Sequence, residues 1–72
     1  MNPWLVRRAR SFAEDNRGRT VDVRDFRNWL EVRGFTREFP TKPEMAAVLR
    51  TVGRTVPTRR VGSAVQRYYL PR

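Results

Sequence analysis

Arginine supplies nearly all the chemistry this chain has to offer. Of sixteen basic residues fifteen are Arg, the exception being Lys42, against seven acidic ones. A guanidinium is a permanent cation with a planar fork of donors. It takes phosphate oxygens or a guanine edge through two parallel hydrogen bonds, which an ammonium cannot copy. Part of the preference for Arg over Lys is a matter of genome composition, but that does not create an excess of base over acid. Other chemistries are thin. Histidine and cysteine are both absent, which excludes a Ser-His-Asp triad, a Cys-His pair, a disulfide and the common zinc sites. Asp22, Asp25 and Glu44 stand where helices start, and Glu14, Asp15, Glu31 and Glu38 read as surface charges. No carboxylate pair is set up for acid–base work, so an enzyme is the least expected class. No cofactor, metal or small-molecule substrate is expected.

The cations are unevenly spread. Residues 1–44 carry ten basic and seven acidic side chains, whereas residues 45–72 carry six arginines and no acid, so +6 of the net +9 sits in the last 28 residues. A field of that size attracts polyanions: DNA, RNA or an acidic membrane surface. Three groups of residues are placed to use it. Thr41, Lys42, Ala47, Arg50, Thr51 and Arg54 lie along and just past one helical segment. Small alanines let such a helix lie deep in a major groove, with Arg50 placed for a guanine. The alternative is an ordinary solvated face, which the lack of acid after Glu44 disfavours. Arg59 and Arg60 precede a Gly-containing turn, with Arg67 on the return strand. They suit backbone phosphates or a minor groove, although charged tips also protect an edge strand from aggregation. Arg67 shares its strand face with Val65 and Tyr69, so it stands at the border of the sheet. Arg7, Arg8 and Arg10 crowd the first helix, either as backbone contacts or as solvated charges, with Glu14 in reach of Arg10.

The elements that position these residues follow from caps and periodicity. Asn2 as N-cap and Pro3 at the first helical position start a helix whose stripe is Leu5, Ala9, Phe12 and Ala13, with Gly18 as its stop. Thr20 and Val21 allow only a short strand. Asp22 caps a second helix with Asp25 in its first turn, Val23, Phe26 and Leu30 inward, Trp29 beside them, Val32 off the stripe, Arg33 in the last turn and Gly34 ending it. Residues 35–40 connect. Thr41 to Glu44 reads T-x-x-E, a capping box that tolerates Pro43. Met45, Val48, Leu49 and Val52 then form the buried stripe of a third helix, stopped by Gly53. Thr55–Val61 and Ala64–Leu70 around Gly62-Ser63 read as a β-hairpin, with Pro57 restricting the first strand to an edge. The order is that of an α+β winged helix-turn-helix: three helices and a C-terminal hairpin wing, in a single domain spanning 1–72. The recognition helix falls at about 42–52 and the wing at about 55–70.

From about residue 9 to residue 70 the pattern also resembles the winged-helix domain at the C-terminus of phage and plasmid primase-helicases. The matching residues are Phe12, Val21, Val23, Phe26, Trp29, Leu30, Gly34, Thr41, Leu49, Gly53, Arg59, Arg60, Gly62, Tyr68, Tyr69 and Leu70. Most are core and turn positions, so the resemblance specifies fold more than function. It implies DNA binding. The chain has no helicase or primase body and no phosphate-binding GxxxxGK[ST] loop. A small free-standing regulator and a domain of a larger protein both fit.

The expected partner is therefore double-stranded DNA, read as a regulator or a replication or recombination accessory in the cytoplasm of a bacterium or phage-infected cell. A 72-residue monomer offers few base contacts, and a homodimer or cooperative array is a reasonable way to add to them. No membrane partner is expected, since the longest apolar run, Met45–Leu49, has five residues. Two alternatives stay open. One is a protein-interaction winged helix anchored by Trp4. The other is a single-strand binder, which needs exposed aromatics. Spacing assigns Phe12, Phe26 and Trp29 to the core, and leaves Phe35, Phe39, Tyr68 and Tyr69 free to be either.

Overall fold

A computed structural model describes residues 2–35, 39–57 and 66–72. Its elements run α1 (Pro3–Asp15), β1 (Thr20–Val21), α2 (Val23–Val32), α3 (Lys42–Val52), β2 (Arg54–Val56) and β3 (Arg67–Tyr69). The result is an α+β fold of three helices and a three-stranded antiparallel sheet of order β1-β3-β2. The short strand expected at Thr20–Val21 is present because β3 lies beside it, pairing Thr20 with Tyr69 and Val21 with Tyr68.

Each helix begins on the residue that local chemistry selects. The Asn2 side chain accepts from the Trp4 amide at 3.0 Å. Asp22 and Thr41 each form a reciprocal capping box, with Asp25 and Glu44 respectively. The ends are less regular. α1 stops at Asp15, before Gly18, because Asn16 turns the chain, its side-chain amide donating to the Phe12 carbonyl at 2.9 Å. α2 closes in a Schellman motif. The Gly34 and Phe35 amides donate back to the Glu31 and Leu30 carbonyls, and Gly34 takes a φ of +81° that a side chain would strain. Arg33, expected in the last turn, is instead the C-cap of α2.

α1 and α2 both pack on α3, and the sheet closes the remaining side. The core is one cluster: Leu5, Ala9 and Phe12 from α1, Val21, Phe26 and Leu30, Met45, Val48 and Leu49 from α3, and Tyr68 and Leu70. Phe12 meets Phe26 and Trp29 at ring separations of 5.0 and 5.7 Å. Fully burying each large apolar side chain contributes about 1.5–3 kcal/mol. Val52, expected in the buried stripe, is only half-buried at the end of α3. The chain leaves α3 at Gly53 with extended backbone, and a Cβ there would sit 2.8 Å from the Tyr69 carbonyl oxygen. That close approach, rather than a left-handed turn, is what demands glycine. Just past the same end of β3, the Gly18 amide donates to the Leu70 carbonyl, and the Leu70 amide donates to the Arg19 carbonyl.

The hairpin is shorter in the described residues than its residue pattern implies. β2 ends at Val56, one residue before Pro57, and lies at the sheet edge, where a missing donor is tolerated. Residues 58–65, including Arg59, Arg60 and the Gly62-Ser63 turn, lie outside the described residues.

Candidate nucleic-acid interface

α3 presents the face expected of it. Lys42, Arg50 and Thr51 are exposed, and Ala47 is half-buried among them. The start of the helix is tightly organised. The Thr41 amide and hydroxyl both donate to a Glu44 carboxylate oxygen, at 3.1 and 2.9 Å, while the Glu44 amide donates to the Thr41 hydroxyl oxygen at 3.3 Å. The backbone hydrogen bond from Thr41, and then that from its hydroxyl, lower the Glu44 pKa below the ordinary 4.5. Thr41 is therefore engaged in capping, with its hydroxyl proton committed. The Thr51 hydroxyl likewise donates to the Val48 carbonyl at 2.6 Å, which leaves its oxygen free only to accept. Arg50 is the one long cation in the middle of this face.

The sheet carries a second basic surface. Residues directly opposite in an antiparallel pair point to the same side, and neighbours along a strand to opposite sides. Tyr68 is buried, so Tyr69 faces outward, where it is 37% exposed. Its cross-strand partners are Thr20 on β1 and Arg54 on β2. Two residues along β3, Arg67 stands on the same outer side, opposite Val56. The outer face is thus a small lattice in which Arg54 and Arg67 alternate with Tyr69 and Val56. At its lower end the Gln66 side-chain amide donates to the Val56 and Arg67 carbonyls, both at 3.0 Å, and so ties β2 to β3. Sequence reasoning did not single out Gln66. It did leave Tyr68 and Tyr69 open. Adjacent strand residues must face opposite sides, so one of the two had to be exposed; the register against buried Val21 selects Tyr69.

Ion pairing divides the molecule. Among the described residues, every salt bridge lies between residues 14 and 33: Arg17 with Glu14, Arg24 with Asp22, Arg27 with Glu31 and Arg33 with Asp15. Lys42, Arg50, Arg54, Arg67 and Arg72 take part in none of them. Glu14 meets Arg17 at 3.6 Å, and not Arg10 as helical spacing suggested. Arg7 and Arg10 are exposed on α1. Arg8 is set apart from both: its guanidinium lies 4.1 Å from the ring centre of Phe35 and 5.6 Å from that of Trp4. It clamps the chain after α2 onto α1 and has little freedom to reach outward.

The remaining open aromatics are also engaged. Trp4 packs edge-on to Phe35, with ring centres 5.9 Å apart. Arg27 lies over Phe39 at 5.1 Å. Asp15, read from the sequence as a surface charge, accepts the Trp29 indole N–H at 3.0 Å and pairs with Arg33, whose guanidinium covers the Trp29 ring at 4.4 Å. Between the start of α2, α3 and β3 lies an open cleft lined by Asp22, Lys42, Pro43, Ala46, Gln66 and Tyr68. Tyr68 lines it from the inner side of the sheet, whereas Arg54, Arg67 and Tyr69 stand on the outer side. Among the described residues, no helix is long and apolar enough to cross a membrane.

Comparison with protein-family models, with curated proteins and with solved structures returns no match to this chain.

Proposed function

We propose that this chain is a winged-helix module that binds double-stranded DNA, with α3 entering the major groove and the basic sheet and wing following the adjoining backbone. The observation that carries this reading is the division of charge. Acidic partners meet Arg17, Arg24, Arg27 and Arg33, whereas the described cations of α3 and the sheet, like Arg7 and Arg10 on α1, have no ion pair among the described residues. A solvated surface gains little from segregating its charges in this way. A polyanion-binding surface needs cations that are not already neutralised. On α3, Arg50 is the residue placed for a base edge, with Ala46 and Ala47 allowing close approach. Lys42, Arg54, Arg67, Arg7 and Arg10, with Arg59 and Arg60 of the wing, serve as phosphate contacts. Such a module suits a regulator or a replication or recombination accessory of a bacterium or phage, working in the cytoplasm. The order α1-β1-α2-α3-β2-β3 and the sheet order β1-β3-β2 support a winged helix as the architecture.

Salt titration of a fluorescent duplex tests the reading. If four to six phosphates are neutralised, log K falls with log salt at a slope of about −3.6 to −5.4, so affinity drops roughly 10²–10³-fold between 50 and 200 mM salt. Arg50→Glu, at an exposed position, is expected to abolish binding while leaving the amide spectrum folded. Normal binding by that variant removes α3 as the reading helix, and a flat salt response removes DNA as the partner.

A further inference from the structure

The outer face of the sheet has features that a phosphate-binding wing alone does not require. Phosphate contact needs cations. Here an aromatic ring, Tyr69, stands open on the strand that carries Arg67, directly opposite Arg54. Buried Tyr68 does the packing work and alternation along β3 puts residue 69 outside, so nothing in the core requires an aromatic ring there. The other half-exposed aromatics have partners: Trp4 with Phe35, Phe39 under Arg27, Trp29 under Arg33. Among the described residues no guanidinium lies over the Tyr69 ring, although two arginines share its face.

We infer that this face holds an unpaired stretch of DNA strand adjoining the duplex, with a base stacked on Tyr69 and the flanking phosphates on Arg54 and Arg67. The occupant is chosen by charge and shape together. Residues 45–72 contain no acid, so the face is complementary to a polyanion. A ring flanked by guanidinia meets a nucleobase and its phosphates at once, which is how sequence-tolerant single-strand sites are built. A duplex keeps its bases stacked inward and offers nothing to Tyr69. Arg67 lies two residues from Tyr69, about 7 Å along the strand, and Arg54 lies across from it on β2. One nucleotide stacked on Tyr69 therefore has two cations beside it for its flanking phosphates. This rests on the polyanion reading above and sharpens it: the preferred target is a junction between duplex and single strand.

Fluorescence anisotropy with a blunt duplex, the same duplex carrying a short oligothymidine tail, and the free oligothymidine separates the two claims. The tail is expected to tighten binding by roughly 5- to 150-fold, the worth of one base–aromatic stack. Tyr69→Leu, which keeps bulk but removes the aromatic face, is expected to erase that gain and leave blunt-duplex affinity unchanged. Tyr69→Phe is expected to retain it. Upfield shifts of the Tyr69 ring protons on adding the tailed duplex to the wild type give a readout that needs no variant. No gain from the tail, or a gain that survives Tyr69→Leu, overturns the sheet site even where Arg50-dependent duplex binding persists. Tail binding through Tyr69 without duplex binding leaves the sheet site standing and overturns the duplex reading instead.

Discussion

Asp15 and Arg33 show how much one exposed charge pair can organise. Asp15, the last residue of α1, receives both the Trp29 indole N–H and the Arg33 guanidinium, and that guanidinium then covers the Trp29 ring. Three side chains thus tie the end of α1 to the end of α2. The Asp15 and Arg33 side chains are both nearly half exposed, so solvent screens their attraction, and such a pair alone is worth about 0.2–1 kcal/mol. The indole hydrogen bond and the cation–π contact each add about 0.5–1 kcal/mol. Asp15→Ala, which removes both bonds and frees the guanidinium, is expected to lower stability by about 1–2 kcal/mol. In a domain this size that corresponds to a fall in Tm of roughly 4–8 °C per kcal/mol. An unchanged urea midpoint would show that the cluster contributes nothing. Arg8 belongs to the same scale. Sequence spacing put it beside Arg7 and Arg10 as a candidate phosphate contact, but helical spacing cannot reveal that Phe35 returns over α1 to stack on it.

At the scale of the element, the start of α3 decides how the candidate reading face is presented. The capping box satisfies amides that would otherwise be unpaired, and Thr41→Ala is expected to cost about 1 kcal/mol. It also makes the helix start sensitive to acid. Glu44 has its folded pKa depressed by the hydrogen bonds from Thr41. Its stabilising contribution is therefore present above the unfolded value of 4.5 and is lost as pH falls through the lower folded value. The Thr41 amide, which donates to the Glu44 carboxylate, is expected to titrate in NMR with a midpoint below 4.5. A midpoint at or above that value would mean that the box does not persist in solution. Glu44→Gln keeps the reciprocal hydrogen bond but should remove the titration. These properties were legible in T-x-x-E, because a cap is a local device whose partners lie within one turn. The exit from α3 was not legible in the same way. Gly53 was recognisable as a stop, but its reason lies in a Tyr69 carbonyl that approaches from another strand.

At the scale of the molecule, a single cluster of eleven buried hydrophobic residues among the described residues joins every element except β2. A domain under about 70–80 residues seldom draws more than about 3–5 kcal/mol from such a core. Leu49, fully buried at the junction of the helices, has little margin behind it. Leu49→Ala is expected to cost about 2–5 kcal/mol, enough to leave a large unfolded population at room temperature. Loss of amide dispersion or of helical circular dichroism would record it, and a native spectrum would mean that the core has reserves not visible in its packing. With so little interior, any binding function must be carried on the surface.

The sequence by itself determined the three helices, their N-cap residues, most of the inward stripes and the excess of arginine after residue 44, because caps, periods and charge counts are local or additive. It also placed Lys42, Arg50 and Thr51 on an exposed face, since the opposite stripe was plainly apolar. Tertiary structure decided the rest. It brought the two-residue strand Thr20–Val21 into a sheet, since a strand that short exists only against a partner. It paired Arg17, Arg24, Arg27 and Arg33 with acids and left Lys42, Arg50, Arg54 and Arg67, among others, without an ion pair among the described residues. It also buried Tyr68 and exposed Tyr69. Two adjacent tyrosines on a strand look alike in sequence, and only the register against β1 and β2 settles which one faces the core and which one faces solvent beside two arginines.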